Sequence, residues 1–108
     1  MARYQYVILS RSQPGRDAEY RYWYDNQHLA DVLRVEGIVS AKRYDIGYQK
    51  VYDVDVPDYT SLTIYEMETD DPQALIAHIV ELAGTDAMPM TDAANKDGMI
   101  QVVARVPD

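Results

Sequence analysis

Hydrophobic and polar positions divide the chain into six segments. Tyr4-Gln5-Tyr6-Val7-Ile8-Leu9 is apolar on both faces of an extended chain, the pattern of a strand covered on two sides. Ser12-Gln13-Pro14-Gly15 is a turn that also opens a helix over about residues 16–35. On a single helical wheel Ala18, Tyr22, Leu29, Val32 and Leu33 form one apolar stripe, with Asp25 and Asn26 on the same side. Gly37 ends this helix. A second strand follows from Ile38 to Ile46, with Ile38, Tyr44 and Ile46 expected on one face and Val39 and Ala41 on the other.

Residues 47–58 form a connection in which Val51, Val54 and Val56 alternate loosely with charge, either a flap or an extension of a hairpin. The run from Thr60 to Met67 is a third strand by its β-branched content and alternation. Asp71 as N-cap and Pro72 at the first helical position open a second helix. Leu75, Ile76, Ile79, Leu82 and Ala83 make its apolar face, and Gly84 stops it. Residues 85–98 are expected to be a loop or short irregular helix, with Met88 and Met90 as an apolar plug. Met99 to Val106 is the last strand.

The order β-α-β-β-α-β in 108 residues predicts one α+β domain over residues 1–108, of the ferredoxin-like kind. Its four-stranded antiparallel sheet would carry two helices on one face. The other face would expose apolar side chains, a condition that marks an interface. Packing against a twin sheet relieves it, so a homodimer enclosing a hollow, a dimeric α/β barrel, is expected.

Composition then narrows the partners. Eighteen acidic residues against ten basic ones give a net charge of −8, which disfavours nucleic acid and anionic membrane. There is no cysteine, so thiolate catalysis, thiolate metal sites and disulfides are excluded, and the chain suits a reducing cytoplasm. No run has the length of a membrane span or the apolar core of a signal peptide. Ten tyrosines accompany one tryptophan and no phenylalanine. Such a bias fits a cavity or interface lined by phenols, and equally half-exposed strand tyrosines with wet hydroxyls.

Candidate chemistry concentrates in the first helix. His28 can take and return a proton near neutrality, with Tyr24 one turn earlier placed to orient it. Asp25 is a general base if it is unpaired and architecture if it meets Arg43. Asn26 could bond backbone or a ligand carbonyl. Tyr6, Tyr44 and Tyr65 lie on three strands and would line a common hollow if they share a face, offering phenol donors to an oxyanion. His78 lies near the edge of the second helix's apolar face. Two histidines without a convergent acidic pair give no metal signature.

The stretch from Trp23 to Leu33, followed by Gly37-Ile38-Val39-Ser40-Ala41-Lys42-Arg43-Tyr44, resembles the EthD-like branch of the dimeric α/β-barrel superfamily. Members carry a Trp-Tyr pair before a helical His and an Ala-x-Arg-Tyr pattern on the next strand. This chain departs in having Ala30 after His28-Leu29, and Glu36 before Gly37, where members often have Pro. The resemblance implies a homodimer with a small-molecule pocket in each half-barrel and no metal or organic cofactor. The activity it implies is acid/base chemistry of the isomerase, cyclase, dehydratase or lyase type on an aromatic, lactone or polyketide-like molecule. In that reading His28, Tyr24 and Asp25 are catalytic. Trp23, Asn26, Tyr6, Tyr44, Tyr65, Arg43 and His78 contact substrate. Two alternatives stand beside it: a non-catalytic ligand-binding or accessory protein, and a cofactor-independent monooxygenase in which Trp23, Asn26 and His28 face one cavity.

Overall fold

Alternating β-branched and aromatic residues draw four segments into one antiparallel sheet. In a computed structural model describing residues 1–108, these are β1 (Arg3–Ser12), β2 (Ile38–Asp45), β3 (Ser61–Glu68) and β4 (Ala94–Arg105). They lie in the order β2-β3-β1-β4. That order, with two helical segments as crossovers, is consistent with the ferredoxin-like arrangement. No helix is long and apolar enough to cross a membrane.

The second helical segment, α3 (Pro72–Leu82), forms as its sequence dictates. Asp71 caps it by accepting the Ala74 N–H at 3.0 Å, Pro72 supplies the preset first position, and Gly84 follows its end at φ 87°. Leu75 and Ile79 are buried against the sheet.

The first helical segment differs from the single helix that its wheel describes. α1 (Asp17–Trp23) runs into a π-helical turn over Tyr24–His28, and α2 (Leu29–Leu33) completes it. The wider turn inserts one residue, which rotates everything after it by about 100° relative to a continuous helix. Tyr20 and Trp23 therefore pack before the turn, Tyr24 and His28 at its two ends, and Leu29 and Val32 after it. Of the expected stripe only Leu29 and Val32 face inward. Ala18, Tyr22 and Leu33 are exposed, Tyr22 at 71%.

Register fixes the two faces of the sheet. On the helix side Tyr6 and Ile8 of β1 and Thr63, Tyr65 and Met67 of β3 are buried, with Tyr6 paired to Tyr65 and Val103. In β2 the pairing steps from Ile38 opposite Met67 to Ser40 opposite Glu66, leaving Val39 as a bulged residue. The bulge reverses the expected alternation. Ile38, Ala41 and Arg43 lie on the helix side, whereas Tyr44 lies on the opposite side and is 47% exposed.

On that opposite face the cross-strand register aligns Tyr44, Leu62, Leu9 and Ile100 in one row and Lys42, Ile64, Val7 and Val102 in the next. No helix covers these rows. Ser40, Glu66 and Gln5 follow as a polar row towards the other end of the strands.

The connection from β2 to β3 adds no paired strand beyond the Ile46 N–H to Thr60 carbonyl bond. Gln49 staples it instead, donating to the Pro57 carbonyl and accepting from the Tyr59 N–H. β4 begins five residues earlier than its pattern predicts, at Ala94, because a large bulge separates two paired stretches. Leu9 pairs with Ile100 and Arg11 with Asn95, so Lys96 to Met99 face Ser10 alone.

Candidate functional site

A cavity of about 400 Å³ lies between the helical layer and the sheet. Tyr6, Ile8 and Tyr65 form its floor, with Met99 and Gln101 of β4 beside them. Tyr20, Trp23, Tyr24, His28 and Val32 form the wall from the first helical segment. Ile79, Val80 and Ala83 close the other side, and Met88 and Met90 lean in from the following loop. The volume suits an aromatic or bicyclic molecule. A hollow of about 140 Å³ near the Arg3–Glu68 ion pair is smaller and more polar.

The π-helical turn builds the aromatic wall. Trp23 stacks on the His28 ring with centroids 4.5 Å apart and planes at 21°. Tyr24 presents an edge to the same ring at 5.3 Å. Trp23 is itself held by its indole N–H donating to the Pro89 carbonyl at 3.1 Å. Behind the wall, Tyr20 donates to Ser10 Oγ at 2.8 Å.

The turn is tied down from its outer side. The Arg43 guanidinium forks onto Asp25, Nε to Oδ1 at 2.7 Å and Nη2 to Oδ2 at 3.0 Å. Its remaining Nη1 donates to Asp45 Oδ1 at 2.7 Å and Ser61 Oγ at 2.9 Å. Only 6% of the Arg43 side chain is exposed. The Asp25 hydrogen bond is the largest influence holding the Arg43 pKa above its ordinary value, and Arg43 in turn lowers that of Asp45. Asp25 is thus paired, as architecture requires, and projects away from the cavity.

Polar atoms around the cavity are few, and some in its walls and floor are sealed from solvent without a partner. His28 Nδ1, Tyr65 Oη and Thr63 Oγ1 are buried without a hydrogen bond. The Tyr24 hydroxyl lies close enough to Thr63 and Tyr65 to influence its ionisation, but neither contact reaches hydrogen-bond geometry. Burial, opposed weakly by the Asp31 carboxylate, pushes the His28 pKa down to about 4. Asp31 is occupied by Gln27 and Arg34. Burial pushes the Tyr6 phenol up to about 12, and raises those of Tyr20, Tyr24 and Tyr65 as well. The imidazole is therefore neutral at pH 7 and every cavity phenol keeps its proton.

Five sequence candidates come together on this cavity: Tyr6, Trp23, Tyr24, His28 and Tyr65. Five do not. Tyr44 is on the far side of the sheet because of the Val39 bulge. Asp25 and Arg43 are consumed by each other. Asn26 is exposed and donates to the Tyr22 carbonyl at 2.9 Å, so the trio Trp23, Asn26 and His28 does not assemble. His78 sits on the outer side of α3, its side chain 56% exposed and 3.8 Å from Glu81.

Other lining residues escaped the sequence reading. Tyr20 was discoverable, being one turn before Tyr24. Met88, expected as part of an apolar plug, is 1% exposed and belongs to the core as well as to the cavity. Lys96 and Met99 reach the cavity only through the β4 bulge, for which the sequence carries no pattern beyond Gly98. Comparison of the chain with models of protein families, with curated proteins and with solved structures finds no match.

Proposed function

We propose that this chain is a cofactor-free enzyme performing acid/base chemistry on an aromatic, lactone or polyketide-like carbonyl compound, and that it works as a homodimer. The observation that carries the reading is the meeting of His28, Tyr24 and Tyr65 on one largely apolar cavity. The neutral imidazole has a free lone pair to take a proton from a carbon next to a carbonyl, and can return that proton to another atom of the same molecule. A phenol that stays protonated is a lasting donor to the developing enolate oxygen. Trp23 stacked on His28 limits the ring's rotation.

A second reading, a ligand-binding protein without turnover, is favoured by the depressed pKa of His28, since an imidazole at about 4 is a weak base. Exchange of the carbon-bound protons of 2-tetralone in deuterium oxide separates the two. The enzyme reading expects the protein to accelerate exchange by about a hundredfold or more, and His28→Gln to remove that acceleration while the ketone still binds. A protein that binds the ketone without accelerating exchange is a binder.

The homodimer rests on the uncovered apolar rows of the sheet and on the likeness of residues 22–44 to EthD-like dimeric barrels. Two such faces brought together would bury Leu9, Leu62, Ile64 and Val7 from both copies. Sedimentation equilibrium is expected to give a dimer, and Leu9→Glu, which sets like charges against each other, a single subunit. A stable lone subunit of the unaltered chain rules the dimer out.

A further inference from the structure

The cavity has only one charged lining residue, and it is a lysine in a protein of net charge −8. Lys96 forms no ion pair. It stands at the mouth, where the cavity adjoins an open hollow that Lys96, Met90 and Ala94 also line. Asp92 and Asp97 line that outer hollow but not the cavity, and Asp92 is taken up by Arg16 at 2.7 Å.

Lys96 is held there by construction. The bulge that carries it is pinned by three hydrogen bonds: Arg11 Nη2 to the Asp97 carbonyl at 2.9 Å, Tyr59 Oη to the Gly98 carbonyl at 2.5 Å, and the Asp97 N–H to Asn95 Oδ1 at 3.0 Å. Gly98 takes φ 76°, and a Cβ there would meet Pro57 Cγ at 2.9 Å, so the bend depends on glycine. Bulges of this kind re-aim side chains. Here the result is that Lys96 and Met99 both reach the same cavity.

Away from the mouth Tyr65, 1% exposed, closes the cavity with its hydroxyl turned in beside Tyr24. Between the two ends the walls are aromatic and methionine side chains, which adapt to a flat apolar body. We propose that the cavity selects an aromatic carboxylate: the carboxylate seats on Lys96 at the mouth, and the ring lies among Trp23, Tyr6 and Met99. This deepens the reading of the cavity as a ligand site and rests on it. In so acidic a protein an anionic ligand is otherwise repelled, so the lysine decides the preference.

The probes are cinnamate and its neutral isostere cinnamamide, their affinities measured by equilibrium dialysis and by the emission of Trp23, the one tryptophan. The unaltered protein is expected to bind cinnamate about fivefold more tightly than the amide, the worth of one charge pair in a watery mouth. Lys96→Met should erase the gap, Lys96→Arg should keep it, and molar salt should shrink it. Lys96 is exposed, so both variants should fold. Equal affinities in the unaltered protein, or a gap that survives Lys96→Met, overturn the carboxylate preference and leave the cavity as a ligand site. Failure of both probes to bind or to perturb Trp23 overturns the ligand site and this inference together.

Discussion

The two helical segments cross the same sheet from the same side, yet they are built by different means. α3 has a capping aspartate, a proline at its first turn and an apolar face of constant direction. The first segment has no side-chain cap, breaks into a π-helical turn, and presents an apolar face that swings round part-way along. A π-helical turn is costlier than α-helix and is retained where surrounding contacts over-determine it. Two sets of contacts do so here: Arg43 clamps Asp25 from outside, while Trp23, Tyr24 and His28 pack against one another within. The regular helix supplies stability and part of a wall, and the irregular one supplies every titratable or donor group of its own in the cavity. Regularity and chemistry are divided between them.

The largest test of this division removes the clamp. Arg43→Met strands Asp25 and Asp45 and empties a site that is nearly closed to solvent. A loss of about 2 kcal/mol in denaturant unfolding is expected, less than a fully buried pair would cost because Asp25 is half exposed and Asp45 mostly exposed. The sharper readout is local. If the clamp holds the turn, Trp23 emission and the Trp23–His28 stack should change in the folded variant. Unchanged emission would mean that the aromatic packing sustains the turn unaided.

A second test separates the segments by pH. His28 titrates at about 4 in the folded chain against an ordinary 6.5. Between those values the unfolded chain binds a proton that the folded one refuses. The His28 contribution to stability is therefore constant above about pH 6.5 and falls as pH drops towards 4. The loss is expected to be on the order of 2 kcal/mol, discounted for the partial exposure of the ring. His28→Gln should flatten this window. The lowered carboxyls of Asp45 and Asp92 act only further down, so they do not fill it. A slope that persists in His28→Gln would place the proton elsewhere.

The same contrast explains what could be read from sequence. α3 was legible to its caps, because Asp71, Pro72 and Gly84 each act locally and independently of the rest. The strands and their antiparallel order were legible from alternation. The stripe on the first helix was not, because a wheel assumes one rotation per residue and the π-helical turn adds a residue that only tertiary contacts specify. Tyr44 and Lys96 were misplaced or missed for the same reason. A bulge at Val39 turned one away from the cavity, and a bulge over Lys96–Met99 brought the other to it. Neither bulge alters the hydrophobic pattern that a sequence displays. The pairing of Asp25 with Arg43 could be anticipated, since a carboxylate beside packed residues needs a cation.

The smallest expected effect gives the comparison its control. Asp71→Ala removes the acceptor for the Ala74 N–H at an exposed N-cap. It should lower stability by about 1 kcal/mol. Its effect on the cavity should be nil, although Ile79 and Val80 of α3 line it, because a frayed first turn lies before both residues. Ligand affinity, Trp23 emission and the pH 4–6.5 slope should match those of the unaltered protein. If the loss of this cap alters any of the three, the helices are coupled through the cavity, and the separation of a stabilising helix from a chemical one fails.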